Sequence, residues 1–331
     1  MNPKTVYRTF EITRPFSSFP EEDMIALATV AKKVKALAQM MDYREIALAI
    51  AEGEGLRHFY DALLKTGRIR FTDFQIRVNG EEKDEGKAVL VDLANGMVEL
   101  RKFVPNRTIM VKLKKSEVKY IKQRLEEGAA LVRIETWFES NTLRLAFVFK
   151  REVAPIQPKR LVAVSASPNG VVVALIDGKI AGVRKFGIPS KVYRLLKLAA
   201  KETKKKRDMR MRRVVNIVTD FVNRTTHDVI ETARRHEAEI WIDAMVKDRG
   251  IPIGDVPLMW GKLLVRKIAR QARWYGIPMR EMVLSDSKCP KCGAELRESE
   301  GKAVCDVCGF TAPRNHVPLH WALKMWTERR A

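Results

Sequence analysis

The sequence predicts a mixed α+β and α/β protein of several domains. A β-rich N-terminal part carries a helical insert, and an α/β C-terminal part carries a four-cysteine ribbon. Three observations predict this. The chain has 331 residues, a length that suggests about two domains. Its apolar pattern is dominated by period two up to about residue 150 and alternates between strand and helix afterwards. All four cysteines lie between Cys289 and Cys308.

Composition narrows the function classes. Apolar residues make up 46% and charged residues 31%, enough for packed cores and a heavily charged surface; 62 Lys and Arg against 40 Asp and Glu leave a formal charge of +22. Such an excess implies a polyanionic partner, nucleic acid first and an anionic membrane surface second. No apolar run is long enough to span a membrane. The N-terminal segment MNPKTVYRTFEITRPF has no apolar core of signal-peptide length, so the expectation is a cytoplasmic protein. Periodic apolar segments throughout argue against intrinsic disorder.

Taken in order, residues 5–14 alternate as a strand and PFSSFP breaks it. From Glu21 to about Ala51, Met24, Leu27, Val30, Val34, Leu37, Met41 and Ile46 recur at helical spacing. Ser17 or Ser18 is a candidate cap, and Glu21 and Glu22 fall in the first turn. Gly53 and Gly55 end this helix, and a second is expected over 56–65. From Arg68 to Lys150 the candidate strands are IRFTDFQIRV, AVLVDLANGMVELRKF, RTIMVKLK, LVRIETWFE and TLRLAFVFKRE, with turns at Asn95-Gly96 and Ser140-Asn141. One helix, SEVKYIKQRLEEG, interrupts them. Together these strands suggest a β-barrel formed by residues 1–20 and 67–155, with the helices of 21–66 inserted. VAPIQPKR reads as a linker. Beyond it come a buried strand (LVAVSAS), a hairpin (VVVALIDG, KIAGVRKF), a long basic helical stretch over about 190–236, a buried strand (AEIWIDAM), a helix over 257–275, a strand (MREMVLSD) and a closing helix.

Cys289, Cys292, Cys305 and Cys308 read C-x2-C-x12-C-x2-C. Each C-x2-C knuckle aims two sulfurs at one point, and four thiolates suit a tetrahedral, closed, structural Zn²⁺. Gly follows the second Cys of both knuckles, where a positive φ is wanted. Redox pairs are the weaker alternative. The ribbon is expected over 287–310.

Four blocks of the C-terminal half resemble the TnpB family, transposon-encoded RNA-guided nucleases: LVAVSASPNGVVVAL, the segment from Lys204 to Met245, WGKLLVRKIARQARWYGIPMREM, and the ribbon running into FTAPRNHV. The resemblance implies an RNase H-like (RuvC) domain over 156–286 and 311–331, a wedge-like character for the N-terminal barrel, and a recognition role for the 21–66 insert. In that family three carboxylates hold two Mg²⁺ ions for phosphodiester cleavage. Here the first acid maps onto Ser165, the second onto Asp243 and the third onto Asn315. One carboxylate cannot offset two closely spaced dications, so no Mg²⁺ and no nuclease activity are expected. Asp177 is a poor substitute, since Asp-Gly is commonly a turn.

Basic clusters are the candidate nucleic-acid contacts. The first is Lys204, Lys205, Lys206, Arg207, Arg210, Arg212 and Arg213. The second is Lys262, Arg266, Lys267, Arg270 and Arg273, read as one helical stripe. Lys112, Lys114, Lys115, Lys119 and Lys122 form a third set. A solvated face is the plain alternative for each. The six tryptophans and Phe138 could stack on bases, but most are expected in cores, Trp241 in a buried strand and Trp260 at the head of an amphipathic helix. His316 and His320 are four apart, with Pro318 arguing against a helical ligand pair.

The sequence thus points to a nuclease-dead, TnpB-like protein with one structural zinc. Its expected partner is structured RNA, guide-like or ribosomal, with an RNA–DNA hybrid or DNA as a further partner and neither a membrane nor a small-molecule substrate. An RNA-guided DNA-binding repressor and an active nuclease with rearranged acids are the alternatives.

Overall fold

The computed structural model describes residues 3–40, 44–53, 68–104, 107–167, 169–201, 203–251 and 258–330. The chain divides into two units, one of Thr5–Glu152 and one of Met1–Lys4 with Val153–Ala331, and the division after Glu152 falls at the start of the expected linker.

In the N-terminal unit the strands are β1 (Lys4–Pro15), β2 (Ile69–Phe71), β3 (Phe74–Arg77), β4 (Val89–Asp92), β5 (Met97–Val104), β6 (Arg107–Lys112), β7 (Ala130–Phe138) and β8 (Thr142–Val153). Their ladders form two four-stranded sheets, β1-β8-β7-β2 and β3-β4-β5-β6. The expected single strand IRFTDFQIRV is therefore two short strands in different sheets. The chain changes sheet at Thr72-Asp73, as strands do at the corners of packed sheets. Both expected turns are present. Ser140 and Asn141 have φ of 42° and 25° between β7 and β8. Between β4 and β5, the Asp92 carboxylate accepts from the Ala94 and Asn95 N–H groups, and Gly96 has φ 64°.

The helices of this unit are α1 (Glu21–Gln39), α2 (Arg44–Gly53) and α3 (Lys115–Glu126). The α1 stripe of Leu27, Val30, Val34 and Leu37 is buried. Two expectations are corrected. The helix does not run unbroken from Glu21 to Ala51, because the stripe loses phase between Met41 and Ile46. Neither serine caps it: Pro20 holds the N-cap position and Ser18 Oγ donates to Pro15 O at 2.7 Å. The N-terminal charge of α1 is met by Glu22 and Asp23, which also receive Arg107 at 2.8 and 2.5 Å. The helix expected over 56–65 lies outside the described residues.

The C-terminal unit is built on a five-stranded sheet ordered β11-β10-β9-β12-β13. Its strands are β9 (Arg160–Ser167), β10 (Gly170–Asp177), β11 (Lys179–Gly187), β12 (Ala238–Asp243) and β13 (Met279–Met282). β9, β10 and β11 form an antiparallel meander; β12 and β13 run parallel to β9. Helices α4 (Ser190–Ala199), α5 (Lys204–Arg235), α6 (Trp260–Tyr275) and α7 (Val317–Arg330) complete it. Period-two alternation splits β9 between two cores. Val162 and Val164 face α5 and α6, beside Val218, Phe221, Leu264 and Ile268. Leu161 and Ala163 face α7, beside Trp241, Leu319 and Trp326. A sheet covered on both faces needs continuous apolar strands, which is why LVAVSAS and AEIWIDAM read as buried. The long helix expected over 190–236 is two helices. Thr203, at φ −61° and ψ 155°, is extended and holds the N-cap position of the second, its carbonyl accepting from Arg207 N.

Trp241, Trp260, Trp274 and Trp326 are buried, as expected of core residues. Glu239 is also buried, on β12, where Arg280 (2.6 Å) and Arg329 of α7 (3.1 Å) reach its carboxylate. Strands β14 (Arg297–Ser299), β15 (Lys302–Val304) and β16 (Thr311–Pro313) form the antiparallel sheet of the cysteine ribbon. A 3-10 turn, Arg314–His316, then leads into α7. Pro318 does not break this helix. It sits in the first turn, where its missing N–H has no intrahelical partner to lose.

Candidate zinc centre and nucleic-acid interface

The two cysteine knuckles are built alike. Cys289 O accepts from Gly293 N and Cys305 O accepts from Gly309 N, both at 2.9 Å. Cys289 N donates to Ala294 O at 2.7 Å, and Cys305 N donates to Phe310 O at 2.8 Å. Gly293 and Gly309 have φ of 81° and 70°, and a Cβ at either would meet nothing within 4 Å, so backbone conformation alone requires glycine there. The four Sγ atoms lie within 4.8 Å of one another, with Cys289 to Cys308 at 3.4 Å and Cys292 to Cys305 at 3.5 Å. Thiolates at the Zn–S distance of about 2.3 Å stand about 3.8 Å apart in a tetrahedron, so the four can bind one zinc ion. Leu296, Ala303, Phe310, Ala312 and Val317 pack around them.

The sulfurs cannot share negative charge freely on their own. Backbone N–H groups of Cys308 and Val307 lower the Cys305 thiol to about 7. The Cys308 thiol is lowered by the backbone of Phe310 but raised more by burial and the neighbouring sulfurs, reaching about 12. A dication among them would allow all four to ionise.

Ser165, Asp243 and Asn315, the three positions singled out in the sequence, share one end of the C-terminal sheet. Val164 of β9 is paired with Ile242 of β12, so Ser165 and Asp243 are the next residues on adjacent parallel strands. Both are buried. Asn315 is half-buried in the 3-10 turn Arg314–His316, which packs on β9. The Asp243 carboxylate accepts from Met245 N at 3.2 Å. Burial holds its pKa above the ordinary value; backbone bonds from Met245 and Leu284 oppose this, Asp286 adds repulsion and Arg249 attraction. Asp286 is the residue that sequence reasoning missed. It is an exposed second carboxylate within electrostatic reach of Asp243. Its only sequence signal is its place just after the strand paired with β12.

The first basic cluster occupies the opening of α5. No described residue from Lys204 to Arg213 is buried, and the first buried residue is Val214. Ten residues at 1.5 Å each give a stretch of about 15 Å that stands clear of the core. Lys204, Lys205, Lys206, Arg207, Arg212 and Arg213 are exposed and Arg210 is half-exposed, with Asp208 as the acid among them.

On α6 the expected stripe needs one correction. Lys262, Arg266, Arg270 and Arg273 are exposed along one face. Lys267 turns instead toward α5, where its ammonium group donates to Asn223 Oδ1. Burial, with Arg270 nearby, lowers its pKa. His316 and His320 are likewise lowered, first by burial. Among the described residues, the four cysteines form the one group of side chains placed to hold a metal ion.

No family model matches the chain, and no curated protein matches it. Among solved structures, it is similar to Cas12f1 in a complex with sgRNA and target DNA, at 12% identity and a TM-score of 0.39, over 95% of this chain and 98% of that one. It is also similar to CasPhi-2 (Cas12j) bound to crRNA, at 9% identity and a TM-score of 0.39, over 70% of this chain and 61% of that one. CasPhi-2 bound to crRNA and phosphorothioate-DNA aligns at 9% identity and a TM-score of 0.32, over 69% and 61%. At these values the likeness carries no functional argument.

Proposed function

We propose that this protein binds structured RNA through the basic surfaces of its C-terminal unit, carries one structural zinc and does not cleave phosphodiester bonds. The observation that carries the reading is the opening of α5. Seven cations against one acid stand free of the core, in a chain of net charge +22. Packing does not explain this helical stretch, because none of its residues is fully buried. Phosphates gathered there would release counterions and so favour binding. The exposed stripe of α6 lies on a helix packed beside α5 and supplies a second basic surface in the same unit.

In this reading the C-terminal unit is an RNase H-like domain with the ribbon inserted. The support is its sheet: an antiparallel meander followed by two parallel strands on the other side of β9. The N-terminal sheets are read as the two halves of a wedge-like barrel. The lack of cleavage follows from Ser165 and Asn315, which are neutral where the resemblance places acids, and from Asp243, whose burial favours its protonated form.

Cleavage by rearranged acids is the second reading, and Asp286 near Asp243 is the observation in its favour. Purified protein incubated with RNA, DNA and hybrid substrates in Mg²⁺ or Mn²⁺ separates the two. The proposal expects no cleavage. Cutting that is lost in both Asp243→Ala and Asp286→Ala would establish the second reading. Sequencing co-purified RNA then identifies the partner: one abundant cellular RNA supports the proposal, whereas a short spacer matching a genomic locus supports an RNA-guided DNA binder.

A further inference from the structure

We infer that the N-terminal unit contains a separate binding groove for an unpaired segment of RNA, between the β4–β5 turn and α3. This rests on the RNA-binding reading above and adds a site to it. The groove has a volume of about 650 Å³, within the ordinary range of roughly 300–1,000 Å³ for ligand clefts. Lys112, Lys115, Lys119 and Lys122 line it, against Glu126 as the single lining carboxylate. Lys115, Lys119 and Lys122 are spaced i, i+4 and i+7, so one face of α3 presents all three. No described carboxylate pairs with any of the four in a salt bridge. Glu117, the nearest other acid on this helix, is committed elsewhere: it accepts from Lys114 N at 2.7 Å and pairs with Arg14.

The walls are fixed before any ligand arrives. Asp92 holds the β4–β5 turn through Ala94 N, Asn95 N and Asn95 Nδ2 at 3.1, 3.0 and 2.9 Å, and is itself anchored by Arg77 at 2.6 Å. Leu113 N donates to Gly96 O at 2.8 Å, joining the turn to the start of α3. Preorganised walls reduce the ordering cost of binding. Between the lysines, Leu93, Leu113 and Val118 supply an apolar lining. Phosphates on the ammonium groups and a base over the apolar lining satisfy both features. Lysine is a point charge without a bidentate fork, so the contact would read backbone and shape rather than sequence. An unpaired strand can offer its base face in this way, whereas a duplex keeps it stacked.

The test compares a fluorescein-labelled RNA hairpin carrying an unpaired tail with the same hairpin lacking it. Binding is followed by anisotropy across a salt series. Lys115→Gln, Lys119→Gln and Lys122→Gln combined should weaken tailed-hairpin binding at least about tenfold and flatten the log–log salt slope by about 2, at roughly 0.7 per single-strand phosphate. The tail-less hairpin should be unaffected, and the three Lys→Arg replacements should retain binding. A 4-thiouridine tail on the unaltered protein should crosslink within residues 93–96 or 112–122, which keeps the test independent of variant folding. Unchanged tailed-hairpin affinity in the glutamine variant, or crosslinks confined to other segments, would overturn the groove while leaving the RNA-binding reading intact. Failure of the unaltered protein to bind either hairpin overturns both. Loss of binding to phosphatidylserine vesicles, with RNA binding retained, would reassign the groove to a membrane surface.

Discussion

The opening of α5 has a sidedness that a binding measurement can detect. At about 100° per residue, Lys206, Arg207, Arg210 and Arg213 fall within an arc of about 120°. Lys204, Lys205 and Arg212 fall on the opposite arc, with Asp208 among them. A phosphate backbone laid along the helix meets one arc at a time, and the arc whose own sequence carries no acid is favoured. Replacing Lys206, Arg207, Arg210 and Arg213 with Gln should remove about four phosphate contacts. At roughly 0.7–0.9 per contact, the slope of log affinity against log salt flattens by about 3. Between about 50 and about 200 mM salt that is roughly a 60-fold smaller loss of affinity. Replacing Lys204, Lys205 and Arg212 should flatten it by no more than about 1, since Asp208 offsets that side. Filter binding to the RNA that co-purifies with the protein, over a salt series, reads both slopes. Equal slopes for the unaltered protein and the fourfold variant, or a larger effect from the Asp208 side, would refute the reasoning.

Three further outcomes follow from the C-terminal unit. Metal analysis should find one zinc per chain, and Cys289→Ser or strong chelation should remove it and release hydrogen-exchange protection in β14–β16, because a ribbon this small depends on its metal for folding. Around Glu239 the losses should be unequal. Glu239→Gln leaves two half-exposed arginines that water can solvate and should cost about 1–3 kcal/mol. Removing both Arg280 and Arg329 strands a buried carboxylate and should cost about 3–5 kcal/mol in urea unfolding. For Asp243 the folded pKa is raised, so the folded state binds protons more tightly than the unfolded one. Stability therefore falls as pH rises through the window above the unfolded carboxyl value. Asp243→Asn should remove that slope and unfold at higher temperature at neutral pH; an unchanged pH profile would contradict the burial argument.

Much of this molecule is determined by local chemistry and is legible residue by residue. Period-two runs predicted β7 and β8, because a strand with one wet face presents alternate residues to its two sides, and short apolar runs predicted the buried strands β9 and β12. Ser140-Asn141 and Asn95-Gly96 announced their turns through residues that tolerate positive φ. The knuckles announced the metal site because ligand type, spacing and the following glycine all act within a few residues. Other features depend on partners distant in the chain. Lys267 looked like part of a basic stripe, and only the packing of α6 on α5 turned it toward Asn223. The strand over 69–78 looked continuous until its halves were recruited to different sheets. Ser18 had the chemistry of a cap but bonded Pro15 instead.

By itself the sequence determined the charge excess, the strand and helix periods, the four clustered cysteines and the neutral residues at positions 165 and 315, since each is a property of residue type at short range. Tertiary structure decided which residues meet. It set Ser165 beside Asp243 by strand register, packed the turn that carries Asn315 onto β9, added Asp286 to the surroundings of Asp243, and left the opening of α5 without a core to cover it. Neighbourhood across the chain is fixed by packing and register, which no local pattern encodes.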